Sequence, residues 1–197
     1  MKDLNLPNKL TIIRVLLIPA CLFMLVAFCG EWWGRVAAGA IFAVAAITDM
    51  LDGRIARKNN LVTDFGKFLD PLADKFLVIS VLIALVCTEN FSLFGILLFC
   101  AVIIIVFREL AVTSMRLVVA TSADKIVIAA NKLGKIKTCT QIIFIEAAIL
   151  EPALCMIFGI DTLHIITYIA MAAAAVMTVW SGMSYILGYW KYLDPSK

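Results

Sequence analysis

Long apolar stretches are the feature that most constrains how this chain can fold. Stretches of about 20 mostly apolar residues, the length an α-helix needs to cross the hydrocarbon core of a bilayer, recur along the whole sequence. Of the 197 residues, 63% are hydrophobic and 16% are charged, which leaves too few polar side chains to cover a water-soluble core. The predicted fold is therefore an all-α integral membrane protein, with residues 1–197 forming a single membrane-embedded domain.

The apolar stretches predict six transmembrane helices. We interpret the N-terminal residues as part of the mature chain, because no small-residue cleavage site follows the first apolar stretch. The predicted helices cover residues 9–28, 33–57, 66–87, 91–119, 133–158 and 163–189.

The positive charges indicate an orientation in the membrane. If alternate connections lie on opposite sides, Arg35 is alone on one side, and all the other Lys and Arg residues, of 17 in total, lie on the other. Cytoplasmic loops are enriched in Lys and Arg. Both termini are therefore predicted in the cytoplasm, with a polar cavity for the active site at the cytoplasmic membrane boundary.

Four aspartates stand where the second predicted helix ends and the third begins. Asp49 and Asp52 are three residues apart, and Asp70 and Asp74 are four apart, so each pair lies on one face of its helix. The apolar parts of these two helices are too short to span a bilayer alone, which draws the acids to the membrane boundary. Two facing pairs of carboxylates suit magnesium or manganese, and a pyrophosphate could complete the coordination.

A simpler interpretation of each acid is an ion pair at a solvated helix end. Arg54, Arg57, Lys67 and Lys75 are available as partners. For four acids at this spacing we favour the metal site. Gly53 removes bulk beside it, and Arg57 offers a planar fork suited to phosphate.

The full spacing resembles the signature of the CDP-alcohol phosphatidyltransferases. The resemblance implies that the four aspartates bind two divalent metal ions that hold the pyrophosphate of a CDP-linked lipid, and that Asp74 also acts as general base. It also implies a homodimer. The matching residues are Asp49, Asp52, Gly53, Ala56, Arg57, Gly66, Asp70 and Asp74.

Further segments resemble one bacterial branch of that family, the phosphatidylglycerophosphate synthases; they are residues 5–14, 64–75, 108–110 and 133–138. This resemblance implies transfer from CDP-diacylglycerol to glycerol 3-phosphate, giving phosphatidylglycerol phosphate and CMP, in the cell (inner) membrane. It also implies that Asn8, Thr11, Arg14, Gly53, Arg57 and Thr63 bind CDP-diacylglycerol. An alternative for Asn8 and Thr11 is that they cap the first helix.

A second cluster of charged residues is basic. Arg108, Arg116, Lys135 and Lys137 are predicted to bind the phosphate of the acceptor, although Arg108 and Arg116 could instead mark the cytoplasmic boundary. Lys135 and Lys137 are two residues apart on a helix and point to different faces, so we expect only one of them, Lys135, to reach the acceptor.

Alternative functions are also considered. Inositol phosphate or phosphatidylglycerol could be the acceptor in the same chemistry. An ion-coupled transporter would carry acids at several depths, whereas four crowd one boundary here. Glu146, deep in the fifth helix, is an intramembrane acid with no predicted partner. No nucleic-acid partner is expected.

Overall fold

The computed structural model describes residues 6–58, 64–89, 92–121 and 132–190. These residues form six α-helices and contain no β-strand, which confirms the all-α prediction. Every helix end lies within three residues of its predicted position. The helices are α1 (Leu6–Ala27), α2 (Trp32–Lys58), α3 (Asp64–Thr88), α4 (Leu93–Thr121), α5 (Lys132–Phe158) and α6 (Ile165–Tyr189).

Five of these helices are long and apolar enough to cross a membrane, namely α1, α3, α4, α5 and α6. Their outward surfaces carry many exposed large apolar side chains, as contact with lipid requires. In the described part of α3 the apolar stretch runs from Pro71 to Thr88. The described part of α2 does not qualify, and its apolar stretch between Arg35 and Asp49 is short. The chain is a multi-pass helical membrane protein.

Helix α1 has a central place in the packing. It contacts both α2 and α3, while α2 also contacts α5, α5 contacts α6, and α6 contacts α4. The interior is filled by side chains with no exposed surface, including Ile18, Phe42, Leu82, Leu98 and Phe144. The two helices that carry the aspartates are therefore both fixed against α1.

Helices α2 and α5 approach closely at Gly39. A Cβ atom at this position would lie 2.9 Å from Cδ2 of Leu150 and 3.2 Å from Oε2 of Glu146, so a larger residue would force the helices apart. The Oε1 atom of Glu146 is buried and has no hydrogen-bond partner among the described residues. The intramembrane acid for which no partner was predicted thus lies against α2.

The connection between α5 and α6 is fixed by Glu151. Its carboxylate accepts hydrogen bonds from the backbone N–H of Ile166 at 3.1 Å and of Thr167 at 2.7 Å, and from the Thr167 hydroxyl at 2.7 Å. These bonds satisfy N–H groups in the first turn of α6, which have no acceptor within the helix. Glu151 therefore caps α6 from the end of α5.

Arg35, predicted to be the isolated cation on its side of the membrane, is buried. Its Nε donates a hydrogen bond to the backbone oxygen of Cys29 at 2.8 Å, and its Nη2 lies 4.0 Å from a carboxylate oxygen of Glu89. The charge is therefore balanced by an acid at the end of α3.

Candidate active site

The four aspartates lie on two helices, as predicted. Asp49 and Asp52 belong to α2, and Asp70 and Asp74 belong to α3. The structure describes the side chains of Asp49 and Asp74. The predicted site residues that fall outside the described side chains are Asp52, Gly53, Arg57, Thr63 and Asp70.

Asp49 forms an ion pair with Arg14 of α1. The Nη1 atom of Arg14 lies 2.7 Å from Oδ1 of Asp49. Arg14 has no exposed surface, whereas 34% of the Asp49 side chain is exposed. A buried guanidinium is stable only with a nearby counter-charge, so the pair holds Asp49 in position while leaving its carboxylate accessible.

Arg14 continues a buried polar row along α1. Asn8, Thr11 and Arg14 are spaced three residues apart and are 6%, 0% and 0% exposed, so they form one face of the helix. Because α1 begins at Leu6, Asn8 and Thr11 lie inside the helix and not at its N-cap. The structure thus does not support the capping alternative, and it places these residues on the buried face beside Arg14.

Asp74 connects the aspartates to the basic residues. Its partly buried carboxylate interacts electrostatically with Lys75 on the same helix and with Lys137 on α5. Lys75 also lies near enough to Arg108 and Arg116 on α4 for their like charges to repel it. The structure therefore brings the proposed general base close to Lys137, one of the four residues predicted to bind acceptor phosphate, and places Arg108 and Arg116 near its neighbour Lys75.

Glu109 organises two of these basic residues. Its Oε1 forms an ion pair with Nζ of Lys137 and lies 3.5 Å from Nη1 of Arg108. Lys137 is buried, whereas Lys135 is exposed, so the two lysines do occupy different faces of α5. The rotation of α5 turns Lys137 toward the cluster, and the contact of Lys135 with the acceptor stays a prediction. We call Arg108, Glu109, Arg116 and Lys137 the basic cluster.

Helix α6 supplies partners for both arginines. Arg108 Nη2 donates a hydrogen bond to Ser181 Oγ at 2.6 Å, and Arg116 Nη2 donates one to the Tyr185 hydroxyl at 3.0 Å. Ser181 and Tyr185 were not predicted from the sequence. Thr178, Ser181 and Tyr185 recur at helical spacing as a polar stripe in an otherwise apolar helix, and this pattern could have identified them.

The comparison with known families decides the class of protein. Residues 4–180 match the family described as CDP-alcohol phosphatidyltransferase. The chain belongs to this family. It is therefore an enzyme, and the resemblance seen in the aspartate signature is confirmed.

Named relatives of this phosphatidyltransferase match it over at least four fifths of their length. The CDP-diacylglycerol–glycerol-3-phosphate 3-phosphatidyltransferase of Bacillus subtilis strain 168 is 44% identical, with 98% of each chain covered. A protein of the same name from Escherichia coli K12 is 35% identical, over 92% of this chain and 93% of the relative. A probable phosphatidylglycerophosphate synthase of Mycobacterium tuberculosis H37Rv is 39% identical, over 92% of this chain and 80% of the relative.

Proposed function

We propose that this phosphatidyltransferase transfers the phosphatidyl group of CDP-diacylglycerol to glycerol 3-phosphate, giving phosphatidylglycerol phosphate and CMP. The names of the Bacillus and Escherichia relatives state this donor and this acceptor. The observation that carries the proposal is the gathering of Arg108, Arg116 and Lys137 around Glu109 and Tyr185, with Lys137 close enough to Asp74 for their charges to interact. A phosphomonoester acceptor must approach an anionic pyrophosphate, so it needs such an excess of positive charge.

Asp49, Asp52, Asp70 and Asp74 are the proposed ligands of a divalent metal, magnesium or manganese, with two ions bound. The described carboxylates fit this role, because Asp49 is 34% exposed and Asp74 is partly buried, and hard oxygen donors suit these ions. A bound divalent ion would polarise the pyrophosphate and neutralise part of its charge.

The donor nucleotide is proposed to lie against the buried polar face of α1 and the signature residues of α2. The residues assigned to CDP-diacylglycerol binding are Asn8, Thr11, Arg14, Gly53, Arg57 and Thr63. The ion pair of Arg14 with Asp49 supports this assignment, because it links the α1 face to the aspartates.

Asp74 is the proposed general base. Its carboxylate would accept the proton of the glycerol 1-hydroxyl as that oxygen attacks the phosphorus that carries diacylglycerol. The bond from this phosphorus to the CMP oxygen breaks, and CMP leaves with the bonding electrons. The interaction of Asp74 with Lys137 supports the assignment, since the base must lie beside the bound acceptor.

For the membrane arrangement we propose six transmembrane helices in one domain over residues 1–197, with both termini and the active site on the cytoplasmic side of the cell membrane, in a homodimer. The clustering of Lys and Arg at one set of helix ends supports this orientation. Reporter fusions test the orientation: a C-terminal fluorescent protein should fluoresce, and a C-terminal alkaline phosphatase should be inactive. The reverse pattern would contradict the orientation.

The reaction is tested with purified protein, CDP-diacylglycerol and magnesium or manganese, by following CMP release. Parallel reactions contain glycerol 3-phosphate, inositol phosphate, phosphatidylglycerol or no acceptor. We expect release only with glycerol 3-phosphate, and none after chelation of the metal. Turnover with one of the other acceptors but not with glycerol 3-phosphate would refute the acceptor assignment. Activity unchanged by chelation would refute the metal assignment.

A further inference from the structure

One aromatic ring lies between the two arginines of the basic cluster. The guanidinium carbons of Arg108 and Arg116 lie 5.8 Å and 5.2 Å from the centroid of the Tyr185 ring, which is within the range of cation–π attraction. Tyr185 also accepts the hydrogen bond from Arg116 described above. Only 4% of this tyrosine is exposed, so both arginines contact a fixed surface.

The spacing of the arginines on α4 makes this contact significant. Arg108 and Arg116 are eight residues apart, so their backbones are separated by about 12 Å along the helix axis. Two extended side chains at that separation would not reach the same phosphate unless other contacts directed them toward each other. Their contact with a single ring bends them toward each other, and the attraction of each cation for the ring offsets part of their mutual repulsion.

Two small residues of α6 complete this arrangement. Ser181 accepts a hydrogen bond from Arg108, and a Cβ atom at Gly182 would lie 3.1 Å from Cγ of Arg108. Glycine at this position therefore lets the stem of Arg108 lie directly on α6. The buried Nε of Arg108 has no hydrogen-bond partner in the described part of the chain. This N–H group is therefore available to donate a hydrogen bond to a ligand.

We propose that Tyr185, assisted by Ser181, is a positioning residue that converges Arg108 and Arg116 on the phosphate of the acceptor and thereby selects a phosphomonoester over an unphosphorylated alcohol. The inference rests on the proposed reaction with glycerol 3-phosphate. Tyr185 acts through the arginines and need not touch the substrate. Preorganisation of this kind strengthens binding because the ordering cost is met before the ligand arrives.

The test compares graded variants in steady-state kinetics. Tyr185→Phe keeps the ring and removes the hydroxyl, and Tyr185→Leu removes both. We expect KM for glycerol 3-phosphate to rise about threefold in Tyr185→Phe and about twentyfold in Tyr185→Leu, with kcat and KM for CDP-diacylglycerol within about twofold of the unmodified enzyme. Turnover of glycerol, which lacks the phosphate, should be unchanged, so discrimination between the two acceptors falls.

The matched control is Thr178→Val on the same face of α6. The Thr178 hydroxyl accepts a hydrogen bond from the Gln141 side chain at 3.2 Å, and both residues are buried. This variant should leave KM for glycerol 3-phosphate unchanged. If Tyr185→Leu does not fold, Tyr185→Phe and Ser181→Ala carry the test, each with a smaller rise in the same constant.

Three results would overturn the inference. The first is an unchanged KM for glycerol 3-phosphate in every folded Tyr185 variant. The second is a loss of kcat that is equal for glycerol and glycerol 3-phosphate, which indicates a merely structural role. An unmodified enzyme that does not use glycerol 3-phosphate is the third, and it alone would also refute the proposed function.

Discussion

The aspartate site and the basic cluster are built in opposite ways. Metal-binding aspartates are proposed on two helices within one short signature, from Asp49 to Asp74, where the backbone of each helix fixes the spacing. The basic cluster draws side chains from α4 and α5 and holds them through α6. Its hydrogen bonds join residues 73 and 69 positions apart in sequence.

The difference reflects the side chains involved. An aspartate has a short side chain, so its helix fixes most of the position of its carboxylate and a single partner, such as Arg14 for Asp49, completes it. Arginine and lysine have long flexible side chains that lose much conformational entropy when fixed. Each described member of the basic cluster is accordingly held by another group: Lys137 by Glu109, Arg108 by Ser181 and Glu109, and Arg116 by Tyr185. Substitutions at the aspartate site and in the basic cluster should therefore change different kinetic constants.

The largest effect is expected at Asp74. Asp74→Asn removes the proposed base and one metal ligand, so kcat should fall by about a thousandfold or more. CMP release from the purified variant measures this loss. Asp161→Asn, at an exposed position in the connection between α5 and α6, is the matched control and should retain full activity. Substantial turnover by Asp74→Asn would remove its assignment as base.

Arg14→Ala should have the next largest effect. It leaves Asp49 without its partner at 2.7 Å, and breaking a buried pair is costly, so we expect kcat/KM for CDP-diacylglycerol to fall about a hundredfold. KM for glycerol 3-phosphate should not change. Arg14→Lys keeps the charge without the planar fork and should recover part of the loss. A change confined to a rise in KM for glycerol 3-phosphate would show that Arg14 contributes to acceptor binding instead.

Arg116→Ala sharpens the comparison from the basic side. Loss of a charged hydrogen-bond donor to phosphate should raise KM for glycerol 3-phosphate about thirtyfold, with KM for CDP-diacylglycerol unaffected. Lys135→Ala is the control, because Lys135 is exposed, and it should change the same constant by less than about twofold. Equal effects of the two substitutions on this KM would indicate that Lys135 also binds the acceptor.

The smallest effect on activity is expected far from both sites. Glu151→Ala removes the cap of α6, a loss of about 1 kcal/mol that should lower Tm in detergent by about 3 °C. Turnover should remain unchanged, and Glu151→Gln should recover part of the stability because its amide oxygen still accepts hydrogen bonds. A large loss of turnover at unchanged Tm would indicate that this connection takes part in the reaction.

Local features of the sequence could be predicted and long-range ones could not. Apolar stretches and charged ends located every helix, and the spacing of Asp49, Asp52, Asp70 and Asp74 identified the family. Which of Lys135 and Lys137 pairs with Glu109 could not be predicted, because it depends on how packing rotates α5. Tyr185 was missed for a related reason: its role appears only when α6 lies against α4.

The close contact at Gly39 has a consequence for the biogenesis of the protein. As α2 leaves the ribosome, its short apolar stretch between Arg35 and Asp49 is a weak signal for insertion into the bilayer. Its first partner, α1, is already made, and the two can enter as a hairpin. Its second partner, α5, emerges only after α3 and α4 have been synthesised. The helix that carries the first two aspartates therefore stays incompletely packed until α5 is made, and the proposed metal site can close only late in assembly.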